Sequence, residues 1–174
     1  MEVSCERLSA PDGGDAPHTT GEMLPTRRVA AGEDRFGERR GLGISTIAFK
    51  VATPDATDLF ILENTFDAPG GPPRHRHDDQ DEWFYALDGE FHFEVGEERV
   101  RLLPGDSLLG PRRVPHVWAY VGGARGRILI AFTPAGAMEA FFRKVTQADA
   151  RLPQDPLLWR AHGMELLGPL LALE

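Results

Sequence analysis

Apolar and polar residues alternate through the middle of the chain in short runs, with turn residues between the runs. This period of two is the pattern of β-strands that bury one face. Residues 82–87 alternate strictly, and Asp88-Gly89 directly after them is a composition typical of a hairpin turn. Short strands and turns at this rate predict an all-β sandwich or barrel rather than an α/β fold.

Two strands are expected before this region. Residues 41–50 are rich in β-branched and aromatic residues on both faces, which predicts a strand buried on both sides. Residues 58–66 alternate in the same way, and their parity requires either Glu63 or Asn64 to face inward. That inward side chain either holds a polar group of a substrate or lies at the solvated edge of the core.

The pattern changes to a helical one after residue 134. An apolar stripe with helical spacing is formed by Met138, Phe141, Phe142 and Val145. Asp155-Pro156 is typical of a helix start, and Gly163 is typical of a helix end. The last residues, 164–174, are mostly apolar and need other residues to cover them.

The 174 residues predict one folded domain. Residues 1–24 have the composition of a flexible tail, with scattered Gly, Pro, Ser and Thr. We expect the barrel in residues 25–134, and helices and a tail in residues 135–174. The single cysteine, Cys5, excludes a disulfide within the chain.

The charge and hydropathy of the chain limit the kinds of binding partner that we expect. The net charge is −8 and there is no extended cluster of Lys or Arg, so nucleic acid is not expected. There is no apolar run long enough to span a membrane, and there is no secretory signal pattern. A cytoplasmic protein with a small-molecule substrate is the expectation.

Two histidines, His75 and His77, stand two residues apart in a charged stretch. Side chains at positions i and i+2 of a strand point to the same face, so both imidazoles can reach one point. Glu82 follows after residues 78–81, whose Asp-rich composition is typical of a turn. We expect Glu82 to begin the next strand, about 4.8 Å from the histidine strand. Two imidazoles and a carboxylate suit a divalent iron, manganese, nickel, copper or zinc ion.

These residues belong to a pattern that resembles the first motif of the cupin superfamily. In that motif H-x-H is followed by a glutamate and then a glycine, and Gly89 stands at the place of the glycine. The glycine that precedes H-x-H in the family is replaced by Pro69.

A second stretch resembles the other cupin motif. Its glycine, proline and histidine correspond to Gly105, Pro111 and His116. Arg113 stands where the family has a glycine, and Tyr120 stands where it has an asparagine. The resemblance is strongest over residues 58–134, and within the superfamily it is to small bacterial single-domain proteins similar to quercetin 2,3-dioxygenase.

The resemblance implies a double-stranded β-helix, or jelly-roll barrel, followed by C-terminal helices. It implies one divalent transition metal held by His75, His77, Glu82 and His116, with open positions for a substrate and O₂. It also implies a dioxygenase in which Glu82 accepts the proton of a substrate hydroxyl. Two other functions stay open: a small-molecule-binding sensor without turnover, and a metal-dependent isomerase or lyase that needs no O₂.

The alternation of side chains along the strands predicts that three aromatic residues lie near the metal site and could line a substrate pocket. Phe84 shares a face with Glu82, while Trp118 and Tyr120 share a face with His116. They either form an apolar wall for an aromatic or enolisable substrate or simply fill the barrel.

The remaining histidines, His18, His92 and His162, fall outside both motifs, and we do not expect them to be ligands. Trp83 and Tyr85 face away from Glu82. Together with the helical stripe and the apolar C terminus they form more apolar surface than a small barrel can hide, which favours a homodimer with exchange of a strand or tail.

Overall fold

The computed structural model describes residues 26–53, 55, 58–147 and 154–173. The predicted tail over residues 1–24, with Cys5 and His18, lies outside these ranges. Within the described residues the chain forms eleven strands and two helices.

The strands before the second motif alternate with short turns, as expected. They are β1 (Arg40–Leu42), β2 (Ser45–Val51), β3 (Phe60–Phe66), β4 (Pro73–His77), β5 (Asp81–Asp88), β6 (Phe91–Val95), β7 (Glu98–Leu102) and β8 (Ser107–Gly110). The remaining elements are β9 (His116–Tyr120), β10 (Gly126–Thr133), α1 (Met138–Val145), α2 (Pro156–Arg160) and β11 (Met164–Leu170).

The strands form two antiparallel sheets whose inner faces enclose the core. The six-stranded sheet has the order β1-β2-β3-β10-β5-β8, and the five-stranded sheet has the order β11-β4-β9-β6-β7. From β3 onward the chain crosses from one sheet to the other at each successive strand, except at the β6–β7 hairpin, and this is the jelly-roll arrangement. The predicted all-β fold is therefore confirmed.

Asp88-Gly89 does not form the predicted hairpin. β5 pairs with β10 and β8, whereas β6 pairs with β7 and β9, so this turn carries the chain from one sheet to the other. Gly89 has a φ of 82°, and a side chain there would overlap the ring of Tyr120. The glycine serves a tight corner, and local composition does not reveal which strands such a corner joins.

The core is largely aromatic and draws on both sheets and both helices. Phe60 from β3 packs edge-on against Phe49, with ring centroids 4.9 Å apart, and stacks on Phe132 and Phe142. The predicted stripe on α1 faces this core, with Met138, Phe141 and Val145 buried. Such a core holds the two sheets at a fixed separation.

The strand predicted over residues 41–50 differs in part from what the structure shows. A turn at Gly43, with φ of 60°, splits the predicted strand into β1 and β2. Only one face of β2 is fully buried, because Ser45, Ile47 and Phe49 point inward and the other face is half-buried. The expectation of burial on both sides is wrong, since no second layer covers the outer face of this sheet within the described residues.

The C-terminal segment ends in a strand. α2 begins as expected, since Asp155 accepts a hydrogen bond from the backbone N–H of Leu157 at 3.0 Å. After Gly163 the chain forms β11, which pairs antiparallel with β4 of the same chain. This pairing satisfies the backbone of the segment, but Leu167 and Leu170 stay exposed, so the exchange of a tail between subunits stays a prediction. None of the helices in the described ranges is long and apolar enough to cross a membrane.

Candidate metal centre

The structure brings the four predicted ligands together in the barrel interior. His75, His77, Glu82 and His116 are all buried, and one nitrogen or oxygen atom from each lies within 4.8 Å of every other. His75 and His116 face each other across β4 and β9, in direct register. The expectation that the histidines end one strand and that Glu82 lies at the start of the next is confirmed.

The position of Glu82 relative to the histidines differs from expectation. β4 and β5 do not lie side by side; β4 belongs to the five-stranded sheet and β5 to the six-stranded sheet. Glu82 reaches the histidines across the barrel interior and not along a ladder of neighbouring strands. The reason is that residues 78–80 carry the chain from the five-stranded sheet to the six-stranded sheet. The composition of a turn does not show which sheet the next strand joins.

The Glu82 carboxylate is at the centre of the cluster. Its Oε2 atom lies 2.9 Å from Nε2 of His116, 3.2 Å from Nε2 of His77 and 3.9 Å from Nε2 of His75. The Nε2 atom of His77 is buried and has no well-aligned hydrogen bond. Three imidazole nitrogens therefore point at one carboxylate oxygen.

The other ring nitrogens have acceptors of their own. Nδ1 of His75 lies 2.8 Å from the carbonyl of Pro73, and Nδ1 of His116 lies 3.2 Å from the carbonyl of Val114. In a neutral imidazole a proton on Nδ1 leaves only a lone pair on Nε2. Lone pairs would then face a carboxylate in a buried space, an arrangement that a cation between them stabilises. The donor set therefore fits a transition-metal ion, with three imidazoles and one carboxylate.

Burial and the close approach of the four side chains together set their charge states. Burial, helped by the neighbouring His116 and His77, lowers the pKa of His75 to about 3, so this ring is neutral. Burial works in the opposite direction on Glu82, but the close approach of His116 and His77 outweighs it and lowers the pKa of the carboxyl. Burial also opposes protonation of His77, yet Glu82 and Gln80 raise its pKa, which favours a proton on that ring beside the carboxylate. A metal ion held by the same atoms would displace that proton.

Gln80 supports the cluster from outside, a role that the sequence did not reveal. Its Oε1 atom lies 3.2 Å from Nδ1 of His77, and its Nε2 atom donates to the carbonyl of Ala135 at 2.7 Å. Gln80 is buried although it lies in the predicted turn. A residue in this position sets the tautomer and orientation of a ligating histidine. A glutamine in an Asp-rich turn carries no local signal for such a role.

A cavity of about 360 Å³ leads to the cluster. His75, His77 and Glu82 line it, together with Trp118 and many apolar side chains. Its polar lining outside the cluster comes chiefly from Ser45, Asn64 and Gln154, and there is no Lys or Arg among the lining residues that the structure describes. A largely apolar wall with few polar groups is typical of a small-molecule site.

The three aromatic pocket candidates have different surroundings. Trp118 lines the cavity, as parity suggested. Phe84 lies beside the cluster, with its ring 6.3 Å from His116 and 4.8 Å from Phe93, but it packs in the core and is not among the lining residues. Tyr120 is also buried away from the cavity. Its ring occupies a space where a side chain at Gly89, Gly122 or Gly126 would overlap it.

The histidines outside the motifs lie away from the cluster. The His92 ring is exposed, and its Nε2 atom lies 2.7 Å from Glu90. His162 follows α2, and its Nδ1 atom lies 2.7 Å from the carbonyl of Leu158. Both placements agree with the expectation that they are not ligands.

Arg113 occupies the glycine position of the second motif in a left-handed conformation. Its φ is 67°, which is unusual for a residue with a side chain. Its backbone N–H donates to the carbonyl of His77 at 2.7 Å. This hydrogen bond between main-chain atoms joins the second motif to the end of β4. Because no side-chain atom takes part, the bond forms although arginine replaces the glycine.

The first prediction concerns the ligand set. Replacing His77 by alanine should remove most of the bound metal, because it deletes one of three nitrogen donors. Metal content after purification and after reconstitution would measure this. His92→Ala is the matched control and should keep the wild-type content. Wild-type protein that takes up no metal under these conditions would contradict the assignment.

The second prediction concerns Gln80. Gln80→Met keeps the volume but removes the acceptor for Nδ1 of His77, and we expect metal affinity to fall about 10- to 100-fold. Asp79→Ala, in the exposed part of the same turn, should leave affinity unchanged. A competitive chelator titration would measure both. Equal affinities for Gln80→Met and wild type would show that Gln80 does not position the ligand.

Comparison with known proteins agrees with this geometry. Residues 65–132 match the cupin domain family. A sugar phosphate isomerase of the cupin superfamily from Silicibacter pomeroyi superposes with a TM-score of 0.54, 15% identity and coverage of 63% of this chain and 77% of that one. The polyketide cyclase RemF from Streptomyces resistomycificus superposes with a TM-score of 0.52 and 22% identity, and the match covers 63% of this chain and 80% of that one. An RmlC-like cupin from Shewanella frigidimarina superposes with a TM-score of 0.50 and 23% identity, and the match covers 65% of this chain and 96% of that one.

These identities are low, so the superpositions establish the fold alone. No curated protein shows significant similarity to the chain. The closer resemblance to quercetin 2,3-dioxygenase stays a prediction. The family match, the two facing sheets and the cluster contributed by both motifs agree: residues 65–132 have the sequence pattern and the fold of a cupin domain.

Proposed function

We propose that the protein is a metal-dependent dioxygenase that acts on a small, neutral, aromatic or enolisable substrate. The observation that carries this proposal is the ligand cluster at the wall of a cavity that is largely apolar and has no Lys or Arg among its described lining residues. The resemblance to quercetin dioxygenase-like cupins supplies the reaction class.

His75, His77, Glu82 and His116 would hold the ion. When bound there, a divalent iron, manganese, nickel, copper or zinc ion would supply a Lewis acid that lowers the pKa of a substrate hydroxyl, and the redox-active members of this series would also supply electron transfer to O₂. The hydrogen-bond acceptors behind the histidine rings would keep their Nε2 atoms directed at such an ion.

Glu82 is the residue placed to move a proton. Its carboxylate faces the cavity and is ionised, because the neighbouring His116 and His77 lower its pKa. It would accept the proton of a substrate hydroxyl whose own pKa has been lowered. In the proposed reaction Oε2 takes the proton of the substrate hydroxyl and returns it to the product. Both atoms of O₂ enter the substrate, which loses four electrons as O₂ gains four, so no additional reductant is required.

The cavity wall orients the substrate and keeps water out. Trp118 offers a planar apolar surface, and the burial of the surrounding aromatic residues limits the water that can reach a reactive species. The wall also disfavours anionic substrates. Away from the ion, the described lining has no cationic side chain, so a phosphate or carboxylate group lying there would be buried without an opposite charge.

The third prediction tests Glu82. Glu82→Gln is close to isosteric but removes the proton acceptor, so O₂ uptake should fall about 100-fold or more while substrate still binds. An oxygen electrode with flavonols, 1,3-diketones and catechols would measure turnover, and calorimetry would measure binding. Metal content must be determined for each sample. Glu98→Gln makes the same chemical change on an exposed strand and should behave as wild type.

Two outcomes would favour another function. Wild-type protein that binds one of these compounds tightly but consumes no O₂ would support a small-molecule sensor. Equal turnover with and without oxygen would support an isomerase or lyase in the same fold.

We also propose that the protein forms a homodimer through the outer face of the six-stranded sheet. Trp83 is 38% exposed and stacks on Tyr85 with ring centroids 5.7 Å apart. Leu109, 52% exposed, pairs with Trp83 on the neighbouring strand. A contiguous aromatic and aliphatic patch on a sheet face is typical of an isologous interface.

The fourth prediction tests this interface. Trp83→Lys should shift the protein from dimer to monomer in light scattering at micromolar concentration, because it places a charge in the centre of the apolar patch. Leu157→Lys, at an exposed site on α2, is the control and should leave the dimer intact. A wild-type monomer under these conditions would overturn the proposal.

A further inference from the structure

Asn64 is a buried polar residue whose side-chain oxygen has no hydrogen-bond partner among the residues that the structure describes. It lies on β3, is 7% exposed and lines the cavity. The Oδ1 atom itself is buried and accepts no hydrogen bond within the described part of the chain. A buried amide oxygen left in this state costs free energy, so native proteins seldom keep one without a reason.

The neighbours of Asn64 give no structural reason. Its register partners on both sides are apolar, Ile47 on β2 and Ile128 on β10. Ser45, which also lines the cavity, uses its hydroxyl to donate to the carbonyl of Leu42 at 3.3 Å. Glu63, the other candidate for an inward polar residue, faces the outer side, where it pairs with Lys50 and Arg127. Asn64 is therefore the inward residue that the parity of β3 predicted.

Asn64 is well separated from the ligand cluster along the same sheet. Glu82 pairs with Phe132 on β10, which pairs with Phe60 on β3, and Asn64 lies four residues farther along β3. Two strand spacings and four residues correspond to roughly 16 Å between Cα atoms in a flat sheet, and less in a curved one. Ile130 lies on the row between them and also lines the cavity. The cavity thus has two polar regions with an apolar stretch between them.

We propose that Asn64 is a specificity residue that binds a neutral hydroxyl or carbonyl group at the far end of an elongated, planar and otherwise apolar ligand. The near end of that ligand reaches the His75, His77, Glu82 and His116 cluster, so the inference rests on the proposed function. The amide offers two donors and one acceptor, which suits a neutral group. A carboxylate or phosphate at this end is disfavoured, because the described lining holds no Lys or Arg.

Two flavones that differ by one hydroxyl test the proposal. 3-Hydroxyflavone carries a chelating hydroxyl and ketone at one end, and 3,4′-dihydroxyflavone adds a hydroxyl at the opposite end. We expect metal-loaded wild-type protein to bind the second compound about tenfold more tightly, the usual size of one hydrogen bond to an otherwise unpaired buried group. Titration calorimetry under anaerobic conditions would measure both affinities without turnover.

Asn64→Leu should abolish this preference and leave the affinity for 3-hydroxyflavone unchanged. Its metal content should match wild type, because Asn64 is remote from the cluster, and its thermal midpoint should be equal or higher, because an unpaired buried polar atom has been removed. Thr65→Val is the matched control; it removes a hydroxyl at the adjacent position on the opposite face and should keep the preference.

Three results would overturn the inference. Equal affinities of wild type for both flavones would reject the role of Asn64 and leave the proposed function standing. Loss of metal or a lowered thermal midpoint in Asn64→Leu would assign Asn64 a structural role instead. Failure of metal-loaded wild type to bind either flavone would reject the ligand class, and the inference and the proposed substrate would fall together.

Discussion

The structure depends on placing one carboxylate, Glu82, in a buried space between two sheets. A buried charge is costly unless it is paired, and here the pairing groups are three imidazoles from the opposite sheet. The cluster can form only when the sheets close at the separation that the aromatic core sets. An ion that binds this cluster and not the unfolded chain would therefore stabilise the closed barrel, by about 4 kcal/mol at a free concentration a thousand times its dissociation constant.

The fold is compatible with several reactions, and the residues around the cluster limit which substrates the cavity can bind. Solved structures with a similar fold include a sugar phosphate isomerase and a polyketide cyclase, so the fold itself does not determine the reaction. The lining of the cavity is more informative, because an apolar wall with Trp118 and Asn64 recognises different chemistry from a wall rich in Lys and Arg. In the proposed function Glu82 would have two roles: it would help to hold the ion, and it would accept a proton from a substrate in the cavity that it lines.

Much of the cluster could be predicted because its information is local. His75 and His77 share a strand face, and the spacing of the second motif identifies His116. What could not be predicted depends on contacts between distant segments. The sheet to which Glu82 belongs is decided by which way the chain turns after residue 77. The support that Gln80 gives to His77 depends on the carbonyl of Ala135, which lies 55 residues farther along the chain. Parity required Glu63 or Asn64 to face inward, but only the pairing of β3 with β2 and β10 distinguishes them.

The position of β11 has a consequence for the order of assembly. β11 pairs with the outer edge of β4, with Met164 opposite His77 and Leu166 opposite His75. Without it, the strand that carries two of the ligands would be the bare edge of its sheet, with unpaired backbone groups open to another chain. During synthesis β4 emerges long before residues 164–170, so this edge stays unprotected until β11 is made. The strand that carries two of the candidate ligands is thus open to mispairing in the nascent barrel until a segment nearly 90 residues farther along the chain closes it.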